Sequence, residues 1–225
     1  MDIVVAPDAQ SAAIEAASWV ARQLRNAVSR RGAATVAFSG GSTPALMLAE
    51  LALLPVPWSA THIFQVDERV APDGDPDRNS SLLDVLLRLP PPSPTIHVMP
   101  VIETDLDSAA ADYAALLPER LDVVHLGLGD DGHTASWPPG DPVIEAAGSV
   151  AISGEYKGRV RMTLTVHAVN SARHRMVLAT GPSKAGIVER WMLHDADLPV
   201  NRVNRSGTLV VLDTAAAARL PYEAR

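Results

Sequence analysis

Short apolar runs alternate with helical stripes along almost the whole chain. Residues 2–5 read as a first strand. Ile14, Ala17, Ala21, Leu24 and Val28 then recur at three- and four-residue spacing, the stripe of an amphipathic helix that Gly32 is placed to stop. Residues 35–38 form a compact apolar strand, followed by a Gly-rich turn and a helix over 44–54. Pro44 suits the first turn of that helix, where a missing N–H costs nothing. The same reading gives strands at 61–66, 96–99, 121–126, 160–166, 176–180 and 209–212. It gives helices at 80–89, 105–117 and 183–193, and a last one in the alanine-rich tail. The proline-rich stretch from Leu89 to Pro94 is read as a surface loop rather than a domain linker, because the alternation resumes at once on its far side. Strands alternating with helices predict an α/β layered fold, a Rossmann-like single domain over 1–225 with a largely parallel sheet flanked by helices. Ligands in such sheets bind at the carboxyl ends of the strands.

Composition narrows the chemistry. The chain of 225 residues is 47% hydrophobic, enough apolar material for a packed core. Twenty-six acidic against 19 basic side chains give a net charge of −7, a poor match to nucleic acid or an anionic membrane surface. There is no cysteine, so thiolate nucleophiles, disulfides, zinc–thiolate sites and iron–sulfur clusters are ruled out. No stretch reaches the ~18 apolar residues of a membrane span, and a cytoplasmic location is expected. Only Lys157 and Lys184 supply lysine, which singles each of them out.

Four segments carry candidate chemistry. Ser39, Gly40, Gly41, Ser42 and Thr43 lie between a strand and a helix, where free amides and hydroxyls make either an anion site or a plain tight turn. Asp67, Glu68 and Arg69 end a strand, and read either as proton-handling and ligand-orienting groups or as a solvated turn. Asn79 downstream reads as a helix cap. The third segment is the most informative. It runs Gly127-Leu128-Gly129-Asp130-Asp131-Gly132-His133 and puts a histidine, with an aspartate two residues earlier, on a glycine-flanked loop at the sheet edge. The other six histidines lack that setting, and no metal-ligand spacing accompanies His133. The fourth runs from Arg161 to Lys184, where Lys184 enters a helix after a strand.

Together, in this order, Ser39-Gly40-Gly41-Ser42-Thr43-Pro44, Asp67-Glu68-Arg69, Asp131-Gly132-His133-Thr134-Ala135-Ser136 and Thr180-Gly181-x-x-Lys184-Ala185 resemble the 6-phosphogluconolactonase family, within the group that includes glucosamine-6-phosphate isomerases. The resemblance implies hydrolysis of 6-phospho-D-glucono-1,5-lactone without metal or organic cofactor, in the oxidative pentose phosphate route. It implies a phosphorylated sugar lactone as the only partner, and a monomer is expected, with an oligomer left open. Carried over by position, Ser39, Gly40, Gly41, Ser42, Thr43, Arg161 and Lys184 hold the phosphate. His133 is then the general base, Asp131 its orienting group, and Asp67 and Arg69 line the sugar side, with Arg69 a candidate for stabilising the oxyanion. The isomerase and deaminase branch carries a glutamate five residues after the histidine. Here that position is Pro138, so the lactonase branch is preferred. It is also preferred over a non-catalytic phosphosugar-binding module, which would not need His133 and Asp131. Ser136-Trp137-Pro138-Pro139 departs from the family's Ser-Leu-Phe-Pro and implies a reshaped pocket wall.

Overall fold

The apolar runs of the sequence line up side by side in the computed structural model, which describes residues 1–89 and 92–221. In chain order the elements are β1 (Asp2–Ala6), α1 (Ala9–Arg31), β2 (Ala34–Phe38), α2 (Ser42–Ala52), β3 (Thr61–Gln65), β4 (Asp67–Arg69), α3 (Asp84–Leu87) and β5 (Thr95–His97). They continue with α4 (Leu106–Leu116), β6 (Val123–Leu126), β7 (Val150–Tyr156), β8 (Arg159–Leu164), α5 (Val166–Ser171), β9 (His174–Ala179), α6 (Ala185–Met192) and β10 (Thr208–Asp213).

Seven strands form a parallel sheet in the order β1-β10-β9-β6-β2-β3-β5. The chain runs outward through β2, β3 and β5, then returns to lay β6 on the other side of β2. Strand order therefore reverses between β2 and β6, and a crevice opens over the carboxyl ends at that point. Successive side chains of β2 feed opposite cores: Val36 and Phe38 join a cluster with the Ala12–Leu24 face of α1 and with Met47, Leu48 and Leu51 of α2. Ala37 faces the other cluster, with Tyr113 of α4, Val169 of α5 and Trp191 of α6. Burial on both faces is why these strands read as continuous apolar runs.

Helix α1 shows how closely local sequence sets the ends. The Asp8 side chain accepts from the Ser11 amide at 2.7 Å. Gly32 takes φ 79° and donates to the Val28 carbonyl, a left-handed stop that L side chains resist.

A second, three-stranded antiparallel sheet, β4-β8-β7, was not legible as a unit. The 61–66 run ends in the main sheet at Gln65, and Asp67–Arg69 belong to this small sheet instead. The strand expected over 160–166 stops at Leu164, because Thr165 caps α5 by accepting from the Ala168 amide. The helix expected over 80–89 is a 3-10 turn, Asn79–Leu83, followed by the single turn of α3. The alanine-rich tail forms turns over 214–219 rather than a helix. Asp213 accepts from the Ala216 and Gly181 amides there, tying the tail into turns against the loop after β9. Of the proline-rich loop, Pro90 and Pro91 lie outside the described residues. Beyond them β5 pairs with β3 in the same sheet. Among the described residues no helix is long and apolar enough to cross a membrane.

Candidate active site

The turn after β2 is built for close approach. A Cβ on Gly40 would lie 1.8 Å from Oδ1 of Asn79, so only glycine fits against that side chain. Gly41, at φ 120°, then turns the backbone into α2. No side chain caps α2, so the amides of its first turn are left for an anion. The Ser39 hydroxyl beside them is buried without a hydrogen-bond partner among the described residues. Thr43 Oγ1 sits 3.1 Å from Thr180 Oγ1, lacing this turn to the one after β9 that carries Lys184.

Opposite that turn, β4 pairs with β8 so that Asp67 faces Thr163 and Arg69 faces Arg161. Two guanidinium side chains directly across a ladder repel each other unless an anion lies between them. The Nε atoms of both are buried without a partner. Asp67 is itself buried and accepts from Ser136 Oγ at 2.8 Å. Burial raises its pKa, against the charges of Arg69 and Arg161 and the Ser136 hydroxyl. Glu68, between them in sequence, turns the other way. Its carboxylate accepts from the amides of Arg69, Asn79 and Ser80 and from Gln65 Nε2, and Arg78 Nε lies 3.2 Å away. It is a structural anchor for the 73–80 loop. Asn79 therefore caps nothing: Arg78 precedes the 3-10 turn, and the Asn79 amide group donates to the Asp67 carbonyl at 3.0 Å while lining the cleft.

The loop after β6 carries His133 into the cleft. Gly132 adopts φ 84°, and a Cβ on Gly129 would stand 1.9 Å from His133 Nδ1, so both glycines are needed for the ring to fold back over its own loop. His133 Nδ1 is 2.5 Å from Asp131 Oδ1. With the ring N–H directed to that carboxylate, Nε2 carries the lone pair. Burial lowers the His133 pKa, and the Asp131 contact opposes the shift without cancelling it. For Asp131 itself burial pulls upward, but hydrogen bonds from Tyr156 and His133 outweigh it and hold the group well below the usual carboxylate range. Ala135 is left-handed at φ 50°, a strained setting for an L residue, and Ser136 next to it reaches Asp67.

These loops enclose a cleft of about 240 Å³. Ser39, Gly40, Gly41, Ser42, Thr43, Asp67, Arg69, His133, Arg161 and Lys184 all line it, and Asp131 stands behind His133. Lys184 is ion-paired with Asp130, a residue of the same His133 loop. Sequence reasoning read Asn79 only as a cap, singled out Lys157 without giving it a role, and did not mark Tyr156. The last two come from the β7–β8 hairpin, whose turn residues Lys157 and Gly158 both have positive φ, as a type I′ turn requires. Lys-Gly between β-rich runs was the available signal, weaker than Asn-Gly. Trp137, expected to reshape the pocket wall, is instead fully buried in the core with Nε1 bonded to the Leu164 carbonyl. Among the described residues no group of three His, Asp or Glu side chains could hold a metal.

The sequence pattern of the family described as glucosamine-6-phosphate isomerases/6-phosphogluconolactonase matches residues 7–211. A 6-phosphogluconolactonase of Synechocystis is 32% identical over 89% of this chain and 90% of its own length. One from Mesorhizobium japonicum is 37% identical over 76% of this chain and 71% of its own. The crystal structure of a 6-phosphogluconolactonase from Shewanella baltica superposes with a TM-score of 0.86 at 25% identity, covering 95% of this chain and 97% of the other.

Proposed function

The chain belongs to the glucosamine-6-phosphate isomerase/6-phosphogluconolactonase family, and from that premise we infer that it hydrolyses 6-phospho-D-glucono-1,5-lactone to 6-phospho-D-gluconate. The observation that carries this reading in the site is a histidine whose pKa burial lowers, braced by a carboxylate and facing a cleft whose other wall is cationic.

The phosphate sits at the N-terminus of α2, held by the 39–43 amides and hydroxyls together with Arg161 and Lys184. Lys184 exchanges Asp130 for it. The lactone ring then extends toward β4 and the 127–133 loop. His133 Nε2 takes a proton from water as the oxygen attacks the C1 carbonyl, and Asp131 stabilises the imidazolium that forms. Arg69 faces the oxygen on which negative charge develops. Collapse of the tetrahedral intermediate breaks the bond from C1 to the ring oxygen, and that oxygen takes the proton from His133. A lactone is an activated ester, so one placed base suffices and no covalent nucleophile is required. Asp67, bonded to Ser136, lines the sugar side. We further propose that it works as a monomer of one domain in the cytoplasm.

The phosphate contacts are tested by comparing the phosphorylated lactone with unphosphorylated gluconolactone, spontaneous hydrolysis subtracted. We expect kcat/KM about 100-fold higher for the phosphorylated lactone, and Arg161→Met to raise its KM while leaving the unphosphorylated lactone unaffected. Equal kcat/KM for the two lactones would remove the phosphate site.

A further inference from the structure

Tyr156, the last β7 residue before the hairpin turn, reaches the catalytic pair from outside the loop that carries it. Its hydroxyl donates to Asp131 Oδ2 at 2.5 Å, while the other oxygen of the same carboxylate meets His133 Nδ1 at 2.5 Å. The ring lies edge-on to the imidazole, with centroids 5.2 Å apart at 66°. Arg161 Cζ and Lys157 Nζ are each 5.0 Å from the same ring's centroid. Asp131 needs such a brace. Its side chain is 38% exposed, and its own loop holds only Oδ1, through the His133 amide at 3.2 Å and the ring. Oδ2 has Tyr156 as its partner, without which the carboxylate can swing on Oδ1 and loosen its grip on Nδ1.

We propose that Tyr156 is a positioning residue: it pins Asp131 so that His133 keeps its Nδ1–H tautomer and presents Nε2 to the cleft. Burial and the neighbouring carboxylate both keep the phenol protonated, so it remains a donor. The aromatic ring, held against Arg161 and Lys157, fixes the height of the hydroxyl above the loop. The hairpin thereby ties the geometry of the base to Arg161, one of the two cations assigned to the phosphate. The proposal rests on His133 being the base.

Tyr156→Phe removes the hydroxyl and keeps the ring, its packing and its cation contacts. We expect kcat to fall about tenfold with KM for the phosphorylated lactone changed by less than about twofold. In the ¹⁵N spectrum of neutral His133, the two ring nitrogens should move from a resolved Nδ1–H pattern toward an averaged one. A wild-type tautomer pattern in the variant overturns the proposal whatever happens to the rate. A loss of kcat matched by a comparable rise in KM would make Tyr156 part of substrate binding instead, which also overturns it. The tautomer readout needs no turnover. If the wild-type protein proves inactive on the lactone while Tyr156→Phe still averages the His133 nitrogens, the lactonase reading falls and the positioning role stands.

Discussion

At the scale of single residues, the site depends on what burial does to one imidazole. Only neutral His133 can accept a proton from water, and burial disfavours the imidazolium more than Asp131 favours it. The folded-state pKa is thus lowered from 6.5, and the competent form persists to lower pH than an ordinary histidine allows. We expect the acid limb of the kcat/KM profile to have its midpoint below pH 6.5; a midpoint above that value would mean the Asp131 contact outweighs burial. The residues that give this site its shape were readable to different degrees. His133 and its glycines stand in one stretch of sequence, and a glycine-flanked histidine after an apolar strand announces itself. Tyr156 is 23 residues away in sequence from His133, and no periodicity connects the two.

At the scale of elements, β4 is three residues long, yet it places Asp67 and Arg69 on one wall of the cleft. The anchor is Glu68, fully buried, with two backbone amides of the 79–80 turn on its carboxylate. Glu68→Gln leaves buried Arg78 with only the exposed Asp73 as countercharge and turns one acceptor into a donor facing N–H groups. We expect a loss of about 3 kcal/mol in stability, read as a lowered Tm, together with weakened activity because Asp67 and Arg69 share its strand. An unchanged Tm would show that the 73–80 loop is held by other contacts. The sequence presented Asp67, Glu68 and Arg69 as a charged triplet ending a strand. That the three point to different tasks depends on β4 pairing with β8, a strand almost a hundred residues later. Long-range antiparallel pairing leaves little local trace, whereas β7, which pairs with β8 across a two-residue turn, went unread because Ser153, Gly154 and Glu155 interrupt its apolar run. Strands buried on both faces do leave one, and the runs at 35–38, 61–66 and 176–180 anticipate β2, β3 and β9 to within a residue or two.

At the scale of the whole molecule, an acidic chain concentrates Arg69, Lys157, Arg161 and Lys184 around one crevice. The parallel sheet locates that crevice, since the turn after β2 and the loop after β6 flank the point where strand order reverses. Net charge alone argued against anion-binding surfaces in general and said nothing of a local one. The order of four short motifs did, because each falls at a carboxyl edge that the fold gathers together. The central claim is that His133 is the base of a lactone hydrolysis. Its most direct test is turnover of freshly generated 6-phosphogluconolactone by the wild-type protein and by His133→Ala, with spontaneous hydrolysis subtracted. The account predicts acceleration by the wild type and a loss of at least about 100-fold in kcat for the variant. A folded wild type that does not exceed the spontaneous rate, or a variant that turns over as fast as the wild type, would contradict it.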